Sequence, residues 1–421
     1  MKTLFLHVGI HKTGTTSVQN TLFMNKSLLK EHGYLYPDSF GKNHSIELYS
    51  AFCDNPEKYH INMKKDFSID QINEYDLNNL NNLKKEINET SCSNIILSGE
   101  DISVLTKKNL FNLKKYINTE LNISKIIIIL NIREVISFLN SAYQQTIVDN
   151  TYINLENHYN FYQSKIDKFL QVFKNEKLLV SKYEDSCKNS YGPVGYFCEI
   201  IGLKKDFIET LPIENNNIGL SNKAIDFIKY VNKSNKVKNN HLYIEFLSKI
   251  SGDKFYMEES IQKKLLLDNE SSNKWLKDNI GIEYSKVDIK SPSSLIFDDR
   301  YYEDIILIFD KFDVIMKKLL NKYLLMKLNI VEDELSKNIL KKLLIYIDTK
   351  FNNDIFKNLN LKIKNGSESA DILRDVALAF EQSGDITTAK TIIQKAHNLR
   401  ENGPFIKQKL EEYKKILNKR K

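Results

Sequence analysis

One stretch near the start of the chain, Thr3 to Gln19 (TLFLHVGIHKTGTTSVQ), constrains the fold more than any other. Thr3 to Val8 is an apolar, β-leaning run closed by Gly9, the pattern of a buried strand. From Thr15 the positions Thr15, Val18 and Leu22 recur at helical spacing, so a helix begins there. A strand, a tight glycine-containing loop and a helix N-terminus together make an anion site. Backbone N–H groups point outward at such a junction, and the helix dipole favours negative charge. Lys12 adds a flexible point charge, and the hydroxyls of Thr13, Thr15 and Thr16 add neutral donors. The ligand implied is a phosphate or a phosphate-like group.

The loop is not an ordinary Walker A motif, which has its lysine directly after the second glycine. Gly9 and Gly14 have that spacing, but Thr15 stands at the lysine position and Lys12 comes two residues before Gly14. The order Lys-Thr-Gly-Thr-Thr instead resembles the 5′-phosphosulfate-binding loop of sulfotransferases that use 3′-phosphoadenosine 5′-phosphosulfate (PAPS).

A second stretch supports the same resemblance. Lys125 to Asn131 (KIIIILN) is continuous, β-branched and apolar, fit for the middle of a parallel sheet. Arg133 follows, and Ser141 stands eight residues further on. Sulfotransferases of this family carry an Arg at a strand end and a Ser eight positions later, and these two bind the 3′-phosphate. Arg offers a planar fork suited to phosphate, and eight residues of helix are a little over two turns, so Arg133 and Ser141 face one side. The Tyr183-Glu184-Asp185 triplet and the Pro-headed segment Gly192 to Leu203 are also similar to the family, which implies that Tyr183 contacts the nucleobase.

These motifs predict an α/β fold: a P-loop-like parallel sheet flanked by helices, followed by an all-helical C-terminal region. Tyr34 to Pro37 reads as a short strand, and Asp38 to about Tyr59, with His44, as an irregular region. Glu74 to Asn88 has helical spacing through Leu77, Leu80, Leu83 and Ile87. Asn94 to Gly99 is a second buried strand, ending in Glu100-Asp101, with Asp101 as the cap of a helix from Ile102. Helices are expected over Asn157 to Lys174 and, with Ser221 as N-cap, Ser221 to Asn232, with a short strand over Lys177 to Val180 and a polar linker over Leu211 to Gly219 between them. Trp275 is a half-buried anchor.

The expected domains are a catalytic unit over 1–290, with core 1–210 and helical lobe 220–290, and a helical unit over 300–421. Ser291-Pro292 marks the boundary, followed by long helices over Tyr302 to Met326 and Val331 to Ile347. Ala377, Phe380, Gly384, Ala389 and Ala396 resemble the small and aromatic positions of a tetratricopeptide helix pair. The last stretch, Phe405 to Lys421, carries seven Lys or Arg against two Glu.

The net charge of +7, from 61 Lys+Arg against 54 Asp+Glu, suits a polyanionic nucleotide but is too diffuse to argue for nucleic acid. Cys53, Cys92, Cys187 and Cys198 lack metal-site spacing and read as free thiols of a cytoplasmic protein. No apolar run is long enough to span a membrane.

The resemblance implies a PAPS-dependent sulfotransferase that needs no metal. His11, Lys12, Thr13, Gly14, Thr15, Thr16 and Ser17 would hold the 5′ side, and Arg133, Ser141 and Tyr183 the rest of the nucleotide. Lys12 would stabilise developing charge, and Glu100 would remove the acceptor proton. A carboxylate at the end of a parallel strand lies where open α/β sheets bind ligands. His44 is the second candidate base, its plainer role being a hydrogen-bonded loop histidine. The expected partners are the nucleotide donor and a sugar hydroxyl (or amine) of a surface polysaccharide or glycolipid. The basic terminal helix could also touch an anionic membrane or a protein partner. Two other function classes stay open: a kinase with an unusual P-loop, and a non-catalytic nucleotide-binding scaffold.

Overall fold

The computed structural model describes residues 1–151, 160–213, 219–237, 239–284, 287–364, 370–382 and 385–418, with the backbone alone described at 351–364, 379 and 382. It divides into two compact units, Met1–Leu295 and Ile296–Lys421.

The first unit is built on five parallel strands: β1 (Thr3–His7), β2 (Tyr34–Leu35), β3 (Asn94–Ser98), β4 (Lys125–Ile132) and β5 (Lys177–Lys182). Their order is β2-β3-β1-β4-β5, so β1 lies at the centre, with Leu4 opposite both Ile95 of β3 and Ile126 of β4. The helices of this unit include α1 (Thr15–Met24), α2 (Ser45–Phe52), α3 (Lys107–Glu120), α4 (Val135–Asp149) and α5 (Phe161–Val172).

The central strands are apolar at nearly every position because both faces of the sheet are covered. Leu4, Leu6 and Val8 of the first stretch join Ile126, Ile128, Leu130 and Ile132 in one core, with Leu110 and Leu113 of α3 and Ile166 and Phe169 of α5. The intervening Phe5, Ile127 and Ile129 point the other way, into a second core with Val18 and Leu22 of α1. Trp275 packs against the first core while half-buried.

Four expectations need correction. Asp38 to Tyr59 is not irregular, since α2 fills its middle. Polar tertiary contacts hold α2: Ser50 donates to Asp76 at 2.7 Å, and Asn62 donates to Ser50 at 2.7 Å. Asp101 caps no helix. It lies in a 3-10 turn over Glu100–Val104, and Thr106 caps α3 by accepting from the Asn109 N–H at 3.2 Å. Leu77 lies on the exposed side of the Ile69–Glu89 helix, which buries Leu83 and Ile87. Tyr302 to Met326 is two helices, Asp299–Phe309 and Val314–Leu328, because Asp313 accepts from the Met316 N–H at 2.7 Å and starts a new one.

In the second unit the helix after Val331 runs from Glu334 to Lys364. Three more follow, Ala370–Gln382, Ile386–Leu399 and Pro404–Asn418, and Ala377, Ala389, Ala396 and Tyr413 form their shared core. Gly384, residues 157–159 of the helix expected after Asn157, 214–218 of the linker and the last three basic residues lie outside the described residues.

Candidate active site

The connections leaving β1 and β4 run to opposite sides of the sheet, toward β2 and β5 respectively. The crevice between their C-terminal ends is therefore the switch point at which open α/β sheets bind ligands. The loop after β1 lies there, tied to β4 by Val8 N–H to Ile129 O at 2.8 Å and Ile10 N–H to Asn131 O at 3.1 Å.

The loop turns sharply. Lys12 and Gly14 both take left-handed backbone angles, with φ of 66° and 79°. Gly9 has no space for a side chain, since a Cβ there would lie 2.2 Å from Thr15 Cγ2. Thr13 donates its hydroxyl to Ile10 O, and Thr13, Thr15 and Ser17 are buried while Thr16 is exposed. No side chain caps the start of α1 and no acid lies in its first turn. Its first N–H groups thus lack the side-chain acceptor that Thr106 gives α3, which is the condition for an anion to take that place.

Two cations flank this opening. Lys12 Nζ donates to Gln145 Oε1 of α4 at 3.2 Å. Burial pushes the Lys12 pKa down, with Arg133 adding to that effect and Glu100 and Asp149 opposing it. Arg133 Nη1 donates to the backbone oxygen of Lys12 at 2.9 Å, and Nε to Ser137 Oγ at 2.9 Å. Its guanidinium carbon lies 4.9 Å from the centre of the Tyr183 ring, a cation–π distance. The Arg133 backbone is fixed as well, since Tyr162 donates to its carbonyl at 3.0 Å. Glu134 caps α4 through the N–H groups of Ile136 and Ser137, and its own N–H donates to Glu184 at 3.1 Å. Ser141 is half-buried one turn beyond Ser137 on the same helix.

Two carboxylates from the end of β3 close the other side. Thr15 donates its hydroxyl to Glu100 Oε2. His11 sits between the acids, Nδ1 at 3.7 Å from Glu100 and Nε2 at 3.3 Å from Asp101. Tyr59 donates to Asp101 Oδ2 at 2.7 Å, and the Asp101 N–H donates to Ser45 Oγ at 2.9 Å. Burial disfavours a charged His11, but the hydrogen bonds and charges of Asp101 and Glu100 outweigh it and raise its pKa to about 9. Burial likewise opposes ionisation of Glu100 and Asp101, yet His11, helped by Thr15 and Tyr59, holds both below the usual carboxylate range. At neutral pH this is an imidazolium between two carboxylates, with one net negative charge.

His44 stands behind this wall. It is wholly buried, its Nδ1 accepts from the Ser98 N–H at 3.1 Å, and its ring lies 4.3 Å from that of Tyr36. Burial lowers its pKa to about 3. His7 is its counterpart on β1: wholly buried, 2.8 Å from Ser98 Oγ through Nδ1, and lowered to about 4 by burial despite the charge of Glu100.

Sequence reasoning missed His7, Ser137, Gln145, Asp101 and Tyr59 as parts of the site. A polar residue inside the otherwise apolar Thr3 to Val8 run was the available sign of His7, and Ser137 lies one helical turn from Arg133. Gln145 and Tyr59 carry no local sign, because tertiary packing alone brings them here.

No protein-family model and no curated protein matches the chain. A solved structure described as retinol dehydratase in complex with androsterone and inactive cofactor PAP is similar to it. The two are 15% identical with a TM-score of 0.27, over 68% of this chain and 83% of that one. A likeness of that size carries no weight for the site, which rests on the chain's own residues. Nothing among these matches supports the tetratricopeptide resemblance of the C-terminal helices. Among the described residues no helix is long and apolar enough to cross a membrane, and no group of three or more His, Cys, Asp or Glu is arranged to hold a metal ion.

Proposed function

We propose that this chain moves a sulfuryl group from PAPS to a hydroxyl or amine acceptor, and we favour a sugar of a polysaccharide or glycolipid. The observation that carries the proposal is the meeting of the two phosphate motifs. Arg133 donates to the Lys12 carbonyl across 121 residues of sequence, so the uncapped start of α1 and the arginine fork share one cradle. Gly9 supports it too, since a side chain there would fill the loop.

In this reading the N–H groups of Gly14 to Thr16 and the Lys12 ammonium take the 5′-phosphosulfate. Arg133, with Ser137 and Ser141 on one face of α4, takes the 3′-phosphate, and Tyr183 lies beside the base. Two of the five N–H groups of Arg133 are already engaged, and three are left for a phosphate. Glu100 accepts the proton of the acceptor hydroxyl as its oxygen attacks sulfur. The bond from sulfur to the bridging oxygen breaks, and adenosine 3′,5′-bisphosphate leaves with the negative charge on that oxygen. Lys12 stabilises this charge as it develops. We assign the base to Glu100 rather than His44 because the His44 ring has no exposed edge. His11, protonated beside Glu100, holds the carboxylate ionised so that it can accept a proton, although the lowered pKa makes it a weak base.

Incubation with radiosulfate-labelled PAPS and a panel of sugar acceptors tests the proposal, the expected result being label transfer that Glu100→Gln abolishes. Failure to bind adenosine 3′,5′-bisphosphate in calorimetry overturns it. One observation favours phosphoryl transfer instead. Glu100 and Asp101 follow β3, the strand paired with β1, and Glu100 lies beside Thr15, where a carboxylate could hold a divalent ion next to a P-loop. Strict Mg²⁺ dependence with ATP as donor would establish that alternative.

A further inference from the structure

A groove of about 720 Å³ lies along α3 and the end of α5, and no residue of the loop after β1 lines it. Lys107, Lys108, Phe111, Lys114, Lys115 and Lys174 line it, and no carboxylate does. Lys114 and Lys108 have acidic neighbours, Glu176 at 3.5 Å and Asp54 at 4.0 Å. Among the described residues no ion pair reaches Lys107, Lys115 or Lys174, and Lys107 and Lys174 are exposed. Phe111, 61% exposed, stands between the two lysine pairs. Of the lining lysines, Lys114 is also tied into the unit, donating to Val172 O at 3.1 Å.

We propose that this groove binds an acidic polysaccharide, the part of the acceptor chain that does not react. The proposal rests on the sulfuryl-transfer reading for its link to the site, and on the groove alone for its binding. Three observations select the ligand. First, Lys107-Lys108 and Lys114-Lys115 are seven residues apart on α3, about 10 Å along the helix at about 1.5 Å per residue. Nucleic acid carries a phosphate about every 3.4 Å of each strand and would leave most of its charge unmatched. A sugar polymer with one carboxylate on every second ring places its charges far enough apart. Second, one aromatic ring between charged pairs suits stacking on the apolar face of a sugar, whereas single-stranded nucleic acid needs a series of such platforms. Third, the surface is concave, so a flat membrane could not reach its floor.

The first lysine of the groove comes six residues after Asp101. Lys168 of α5 ties the intervening segment down by donating to Ser103 O at 2.6 Å and Leu105 O at 2.7 Å. In the proposal, an acceptor chain whose reacting hydroxyl lies at Glu100 continues over this segment to α3.

The test uses the full-length protein and fluorescently labelled hyaluronate oligosaccharides, which carry one carboxylate per disaccharide. Binding is read by anisotropy at low and at moderate salt. The triple variant Lys107→Ala, Lys115→Ala, Lys174→Ala is expected to bind roughly tenfold to a hundredfold more weakly, three surface ion pairs counting a few-fold each. Its salt dependence is expected to be shallower, and Phe111→Ala to lose several-fold without changing that slope. Thermal unfolding and adenosine 3′,5′-bisphosphate affinity of the variants should match wild type, because none of these side chains touches the loop or Arg133. Absence of hyaluronate binding at low salt, or binding that survives the triple substitution, overturns the proposal. So does displacement of hyaluronate by poly(U) or by phosphatidylserine vesicles at equal charge concentration. Because no step of the assay needs sulfuryl transfer, a chain that binds hyaluronate but not the nucleotide would refute the donor reading and leave the groove standing.

Discussion

Replacing Arg133 with alanine removes three contacts at once: the bond to the Lys12 carbonyl at 2.9 Å, the bond to Ser137 at 2.9 Å, and the ring of Tyr183 at 4.9 Å. A charge-assisted hydrogen bond to a ligand phosphate contributes on the order of 1.5–3 kcal/mol. Arg133 is half-buried, so water screens part of that, and the lower half of the range applies. The Kd for adenosine 3′,5′-bisphosphate should then rise roughly tenfold to fortyfold, at about 1.4 kcal/mol per factor of ten. AMP has no 3′-phosphate and should lose only the indirect effect of a less firmly held Lys12, a neutral-acceptor hydrogen bond of about 1 kcal/mol or a few-fold. Arg133→Lys keeps the charge without the fork, so it should recover part of the bisphosphate affinity and little of the loop anchoring. Titration calorimetry of both nucleotides against the three proteins measures this, with thermal unfolding without nucleotide as the control for loop damage. Equal losses for AMP and the bisphosphate would refute the assignment of Arg133 to the 3′-phosphate.

Lys12→Ala should depress kcat strongly while leaving bisphosphate affinity within a few-fold, because its charge acts on the leaving oxygen. Steady-state rates with calorimetry decide this, and normal turnover with weak binding would make Lys12 an anchor only. Gly9→Ala should lose both nucleotide binding and stability, by about 1–3 kcal/mol in urea unfolding, since its Cβ would lie 2.2 Å from Thr15. The pKa of His11 is raised to about 9, so its ion pairs stabilise the folded state fully below about pH 6.5 and progressively less as pH rises through 9. Wild type should therefore exceed His11→Ala in stability at pH 6 by more than at pH 10 in urea titrations. Glu100 and Asp101 have lowered pKa values, so their contribution runs the opposite way and is lost as pH falls through the acid range.

What could be read in the sequence followed from local chemistry. Thr3 to Val8, Asn94 to Gly99 and Lys125 to Asn131 announced central strands because a strand covered on both faces must be apolar along most of its length. Ser221 announced its cap because a serine before a helical run has one favourable use, and it accepts from Ala224 N–H at 3.2 Å. α2 was hidden because polar contacts with Asp76 and Asn62, outside its own segment, hold it. Asp101 misled for a related reason. A carboxylate ahead of a helical run is a good cap in isolation, but here it is taken by Tyr59 and His11, and Thr106 caps in its place. Lys12, Glu100 and Arg133 could be picked out as candidates by their chemistry, while Gln145 and Tyr59 entered only through packing.

The central position of β1 has a consequence for how the protein is made. β1 is synthesised before the other four strands of its sheet, yet both of its neighbours lie far downstream, β3 beginning at Asn94 and β4 at Lys125. The loop that follows β1 needs Glu100 from 85 residues away and Arg133, whose bond to Lys12 spans 121. Chains grow at about 5–20 residues per second, so the nascent chain holds an unpaired apolar strand for on the order of ten seconds. Contacts this distant also form late in refolding. The loop after β1 is thus translated well before the residues it depends on and is among the last parts to take its working shape, and a ribosome stalled before β3 would display β1 without either of its sheet neighbours.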